Sequence, residues 1–184
     1  MDYSILVPSY DPLGKKAHLL AAVLSAIDNH SMGYDYELII RKNGKSYAES
    51  PNDALKSSRG KHIIVVTDDV VIKDNFWIEK LTTNGLAGWR MNKFHLTGEM
   101  QPDFACWSMP RELFEDVGYF DENYKHGCGY EDNDYCERAK QKKWSLLNAD
   151  VNLDHLEAVT LNEYYPDRDD RTKINRKVFE TKWL

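Results

Sequence analysis

Two clusters of carboxylates and one histidine are the residues of this sequence best suited to chemistry. The first cluster is Thr67-Asp68-Asp69-Val70. It follows the apolar run Ile63 to Val66, so its carboxylates stand at the exit of a strand that fixes them and leaves coordination positions open. Hard divalent cations such as Mg2+ and Mn2+ bind one or two carboxylates together with substrate phosphates. The same residues also suit an ordinary polar turn, and the motif alone does not separate the two readings. The second cluster is Tyr130-Glu131-Asp132-Asn133-Asp134, which follows a Gly-x-Gly loop. Acids at a helix N-terminus are favoured by the macrodipole in any case, which explains one or two of them well. A carboxylate there could also take a proton from a hydroxyl as a general base. The histidine is His155, in Asn152-Leu153-Asp154-His155-Leu156. A lone histidine is more often packed than ligating, but its imidazole suits a metal site.

These residues need elements to hold them. Tyr3 to Val7 is a β-rich run ended by Pro8. Asp11-Pro12 reads as a helix N-cap with proline at the first helical position, followed by Leu13, Ala17, Leu20, Ala21, Leu24 and Ile27 at helical spacing. Tyr36 to Ile40 is a second strand, closed by the turn signal Asn43-Gly44. Ser50-Pro51-Asn52-Asp53 reads as a capping box, and Gly60 ends the helix it opens. Ile63 to Val66 is the third strand. Strands alternating with helices imply βαβ units and a parallel sheet, whose ligands bind beyond the carboxyl ends of the strands. Pro8-Ser9-Tyr10-Asp11, Arg41 to Gly44 and Thr67 to Asp69 are therefore the segments expected to meet a ligand.

The second half reads less regularly. Helices are expected over Asn75 to Thr83, Pro110 to Val117 and Asp132 to Lys143, a strand over Ser145 to Asn148, and a charged surface helix over the last 25 residues. Residues 86–109 mix short strands and turns. Trp107, Tyr119, Tyr124 and Tyr130 flank the acidic segment, where they either pack in the core or stack on a sugar.

Composition narrows the partners. The chain has 184 residues, 42% hydrophobic and 29% charged, with a net charge of −6. That suits one ordinary domain. The acidic balance disfavours nucleic acid, and no apolar run approaches the roughly 20 residues of a membrane span. The cysteines, Cys106, Cys128 and Cys136, show no zinc spacing, and no leader pattern is seen, so free thiols and a cytoplasmic location are expected. A Walker-type phosphate loop, a G-x-G-x-x-G after the first strand and a G-x-S-x-G elbow are all missing, which disfavours nucleotide kinases, simple dehydrogenases and serine hydrolases.

Taken together, the segments over residues 3–158 resemble the family-2 glycosyltransferases of the GT-A fold. Ile5-Leu6-Val7-Pro8-Ser9-Tyr10 looks like that family's first strand and donor-binding turn. Glu37 to Ile40 with Asn43-Gly44 looks like its second strand and nucleotide-facing turn, and Ile63 to Asp69 like the approach to its D-x-D metal motif. Val117 to Glu122, then Glu131 to Asp134 with Arg138-Ala139, is similar to its acceptor-side segment. Gly127 to Asp132 also resembles the β-1,4-galactosyltransferase and N-acetylgalactosaminyltransferase type.

The resemblance implies one α/β GT-A domain, with a mixed, mostly parallel sheet flanked by helices. Residues 1–70 would be its nucleotide-sugar half, 86–158 its acceptor half and 160–184 a terminal helix. It implies Mn2+ or Mg2+ at Asp69 and His155. Pro8, Tyr10, Asn43 and Asp68 would lie near the donor, Asp132 would be the base, and Glu131 would orient it or bind acceptor. Thr67 departs from the acidic first position of D-x-D, and Lys42-Asn43 replaces the acids common after the second strand. The implied activity is hexosyl, deoxyhexosyl or N-acetylhexosaminyl transfer from a UDP-, GDP- or dTDP-sugar to a glycan or glycoconjugate hydroxyl, with inversion. A binding module without turnover and a nucleotidyltransferase remain as alternatives.

Overall fold

Strand β1 (Tyr3–Ser9) forms the spine of the molecule, because Ile5, Leu6 and Val7 are all fully buried. A strand buried on both faces needs a sheet with helices on either side. In the computed structural model, which describes residues 1–42, 46–124, 129–156, 164 and 167–184, β1 has two parallel neighbours. It pairs with β2 (Tyr36–Lys42) from Tyr3 opposite Tyr36 to Ser9 opposite Lys42, and with β3 (His62–Val66) from Tyr3 opposite His62 to Leu6 opposite Val65. Helices α1 (Ala17–His30) and α2 (Glu49–Ser57) make the crossovers.

Beyond β3 the sheet reverses. Strand β4 (Val70–Ile72) and helix α3 (Trp77–Leu81) precede β5 (Leu86–Gly88), and a ribbon of β6 (Met91–Lys93) and β7 (Met100–Pro102) leads into β8 (Cys106–Pro110). Strand β8 runs antiparallel between β3 and β5. Helices α4 (Arg111–Val117) and α5 (Glu131–Gln141) follow, then β9 (Leu146–Asn148), β10 (Leu153–His155) and the C-terminal helix α6 (Arg168–Trp183). The six-stranded order is β2-β1-β3-β8-β5-β9, mixed and mostly parallel as expected.

Period-two alternation divides the core between the two faces. Ile5, Val7, Ile64 and Val66 meet Val23 and Ile27 of α1 and Trp77, Ile78 and Leu81 of α3. Leu6, Ile63 and Val65 meet Leu55 of α2, Leu113 of α4 and Tyr135, Cys136 and Ala139 of α5. Each fully buried aliphatic side chain contributes about 1.5–3 kcal/mol.

Several boundaries differ from the sequence reading. Helix α1 starts at Ala17 rather than beside Pro12, because Gly14 turns the chain at φ +68°. Asp11 does not cap the helix; its carboxylate holds the turn before it, accepting from the backbone N–H groups of Lys15 and Lys16 at 2.9 and 2.8 Å. The expected capping box at Ser50 does not form; Ser46 Oγ accepts from Glu49 N at 3.2 Å instead. Helix α6 is more than a surface helix, since it buries Asn175 and Phe179 and packs Phe179 with Phe94, Tyr124 and Tyr130. Among the described residues, no helix is long and apolar enough to cross a membrane.

Candidate active site

Strand β3 ends on buried Val66, and three polar residues follow in succession, half-buried Thr67 and buried Asp68 and Asp69. Thr67 is tied to the neighbouring strand, its N–H donating to Ala105 O at 2.9 Å and its hydroxyl reaching the same carbonyl at 3.1 Å. That hydroxyl also lies 2.7 Å from Asp69 Oδ1. Thr67 thus orients Asp69 where the resemblance would place an acid. Asp68 turns toward β1, where its Oδ2 accepts from Tyr10 N at 3.1 Å. Burial raises its pKa, and the Ser9 hydroxyl partly offsets this. Pro8 sits in β1 opposite Arg41.

A two-stranded ribbon brings His155 to this turn. Strand β10 pairs antiparallel with β4, His155 opposite Val70, and Leu156 N donates to Asp69 O at 2.9 Å. His155 Nε2 then stands 3.7 Å from Asp69 Oδ2, and its ring meets Trp89 edge-on at 6.4 Å. Among the described residues no group of three or more His, Cys, Asp or Glu side chains is arranged to hold a metal ion. Asp69 and His155 offer one carboxylate oxygen and one imidazole nitrogen. This donor set fits a cation that completes its shell with phosphate oxygens and water, as Mg2+ and Mn2+ do.

The second carboxylate cluster opens α5. Tyr130 precedes the helix in a left-handed conformation, φ 77°, which is rare for a residue with a bulky side chain. Such strain persists only where the surroundings impose it, and Tyr130 is held by Phe94, Phe179 and a 3.1 Å contact between its hydroxyl and His95 Nε2. The turn presents Glu131 and Asp132 together. Burial, with the Asp132 charge adding to it, raises the Glu131 pKa, and Glu131 Oε2 is buried without a hydrogen-bond partner. Burial also raises Asp132, and the charge of Asp103 adds to it. The third acid, Asp134, has a different environment. It is fully buried and bound by Arg138 Nε at 2.9 Å, Lys182 Nζ at 2.7 Å and Trp183 Nε1 at 2.9 Å. It anchors α6 to α5.

Residues 103–105 join the two clusters. Asp103 Oδ1 accepts from Ala105 N at 2.9 Å, and Oδ2 accepts from Arg90 and Asn92 at 2.9 and 2.8 Å. Ala105 is the residue that binds Thr67, so one short segment touches the Asp69 turn and puts a charge beside Asp132. Tyr47 lies in the same region, its hydroxyl donating to Phe104 O at 2.9 Å. Burial raises its phenol well above the ordinary value, and the charges of Asp132, Glu131 and Asp103 add to this. Gly88 lets the segment come close, because a Cβ there would lie 2.7 Å from Asp103 N. No sequence motif marked Asp103, Arg90 or Asn92, and only folding joins them to Asp132.

Other expectations fare unevenly. Asn43 and the loop residues Gly127 and Cys128 lie outside the described residues. Trp107 and Tyr124 are fully buried and Tyr130 nearly so, so these three pack rather than offer a stacking face; Tyr119 is exposed. Tyr164, which the sequence did not single out, reaches Tyr10 edge-on at 5.5 Å and places its hydroxyl 2.5 Å from Asp11 Oδ1.

No protein-family model and no curated protein sequence matches the chain. Solved structures do match in fold. A mutant of Drosophila β-1,4-galactosyltransferase 7, in complex with manganese, UDP-Gal and xylobiose, superposes with a TM-score of 0.64 at 10% identity, over 93% of this chain and 79% of that one. The mannosyltransferase PcManGT from Pyrobaculum calidifontis, in complex with GDP-Man and Mn2+, gives 0.58 at 13% identity, over 79% of this chain and 53% of that one. S. aureus TarS in complex with UDP-GlcNAc gives 0.54 at 14% identity, over 95% of this chain and 65% of that one. The chain therefore spans less than two thirds of the latter two structures. The sheet, its flanking helices and these superpositions agree that the chain has the GT-A glycosyltransferase fold.

Proposed function

We propose that the protein is a metal-assisted glycosyltransferase that moves a sugar from a nucleoside-diphosphate sugar to a hydroxyl acceptor, with Asp132 as general base. The observation that carries this reading is the short bridge Thr67–Ala105–Asp103. It sets the Asp69–His155 pair and the Glu131–Asp132 pair at one end of the sheet. The complexes of the fold relatives with Mn2+ and sugar nucleotides support it.

Asp69 and His155 would hold the divalent cation, Mn2+ or Mg2+, whose charge offsets that developing on the departing diphosphate. The chain's own residues do the rest. Tyr10, fixed through its N–H to Asp68, would offer a ring to the nucleobase at the end of β1, beside Pro8. The acceptor oxygen attacks the anomeric carbon, and its proton passes to Asp132. A C–O bond forms as the bond to the diphosphate oxygen breaks, and the nucleoside diphosphate leaves. With one base and no partner nucleophile, the displacement is single and inverts the anomeric centre. Burial and the charge of Asp103 raise the basicity of Asp132, and Glu131, buried beside it, would orient that carboxylate or bind the acceptor. The neutral amide of Asp132→Asn cannot take the proton, and general-base assistance is worth roughly 10²–10⁴ in rate. Nucleotide release from UDP-, GDP- and dTDP-sugars with Mn2+ should fall by that factor in Asp132→Asn while donor affinity is kept. Wild-type release by that variant would overturn the assignment.

A binding module without turnover is the second reading. It is favoured by Thr67 at the first position of the D-x-D motif, and it requires donor binding with no transfer.

A further inference from the structure

The β6–β7 ribbon and the first turn of α5 line an open pocket of about 200 Å³ beside Asp132. At about 30 Å³ per water, that is room for roughly seven waters, the space of one sugar ring. The wall is mixed. Phe104 supplies an apolar face, Asn92 and Asp103 supply polar atoms, and Lys93 and His95 stand on the ribbon side.

The ionised groups of the pocket differ in how they are satisfied. Asp103 is neutralised by Arg90 at 2.9 Å and bound by Asn92. Among the described residues, Asp132 and Lys93 have no ion partner inside or outside the pocket. His95 spends one ring nitrogen on the Tyr130 hydroxyl. The pocket wall therefore carries a carboxylate that can take a hydroxyl proton and, on the exposed side of the ribbon, a lysine without an ion partner among the described residues. A neutral sugar would use only the first. An anionic group on the acceptor would use both, and would gain a charge-assisted contact of the kind that eight of the described lysines already make within the protein. We propose that the acceptor is a sugar bearing a carboxylate or phosphate, read by Lys93, with its attacking hydroxyl at Asp132. This rests on the transferase reading above.

Binding to the full chain, without donor or metal, tests the pocket separately from the transfer. Three probes, methyl glucoside, methyl glucuronide and glucose 6-phosphate, are titrated by ligand-observed NMR at low and high salt. Both anionic probes, or one of them, should bind on the order of three- to tenfold tighter than methyl glucoside. The preference should shrink at high salt, be lost in Lys93→Ala and be kept in Lys93→Arg. The stronger of the two anionic arms assigns carboxylate or phosphate. Equal affinity for all three probes, or an anionic preference that survives in Lys93→Ala, overturns the proposal. Lys93 is exposed, so its loss should leave the fold intact, which a matching melting curve checks. If the anionic preference holds but no donor binds with Mn2+, the transferase reading fails and the pocket reading stands. Metal-dependent donor binding without the preference gives the opposite result.

Discussion

At the scale of single residues, chemistry and stability compete at the start of α5. Glu131 is buried with an unpartnered oxygen, and its pKa is raised. Below its ordinary value of 4.5 it is protonated in both the folded and the unfolded chain. As the pH rises above that, the unfolded chain ionises first and the fold loses stability until the raised value is passed. Glu131→Gln should therefore melt higher than wild type, by little at pH 5 and by several degrees at pH 8.5. A difference that does not change with pH would contradict this. The acids themselves were legible in the sequence, because three carboxylates after a Gly-x-Gly loop exceed what a helix dipole needs. The division of labour among them was not. Asp134 is an anchor and Asp132 faces the pocket, and this depends on donors from α6 and on the packing of the β6–β7 ribbon against α5, both far away in sequence.

At the scale of elements, α6 acts as a brace for the acidic turn. Asp134 receives Arg138 of its own helix and Lys182 and Trp183 of α6, and the Tyr124 hydroxyl lies 3.3 Å away. Removing one partner of a buried ion pair leaves the other charges without compensation, at a cost of about 3–5 kcal/mol. Asp134→Ala should lower stability to denaturant by an amount in this range. A loss below about 1 kcal/mol would mean that α6 is held by Phe179 alone. The sequence pattern marked α6 as a charged helix because its two buried residues, Asn175 and Phe179, are too few to form a visible stripe. The long, fully apolar strands were easier to read. The run Ile63 to Val66 is buried at every position, so its pattern left little choice of structure. Strands β4 to β7 have three residues each, too short for either period to register, and their pairing follows from long-range contacts.

At the scale of the whole molecule, the fold gathers the residues of the proposed site at one end of the sheet. The βαβ half was legible from alternation and turn signals, and it put Tyr10 and Asp68 beyond the strand ends, although β1 runs on through Pro8 to Ser9. The reversal at β8 was not legible, because a five-residue apolar strand reads alike in either direction. That reversal carries the account, since it brings residues 103–105 against Thr67 and lets Asp103 act on Asp132. His155 comes to within 3.7 Å of Asp69 by a separate route, the antiparallel pairing of β10 with β4. The central claim is that this end of the sheet binds a sugar nucleotide through a divalent cation. The most direct test is the melting temperature with UDP-, GDP- and dTDP-sugars, each with and without Mn2+, for wild type and Asp69→Ala. One donor should raise the melting temperature only when Mn2+ is present, and the shift should vanish in Asp69→Ala. A shift that persists without metal or in Asp69→Ala, or no shift with any donor, would contradict it.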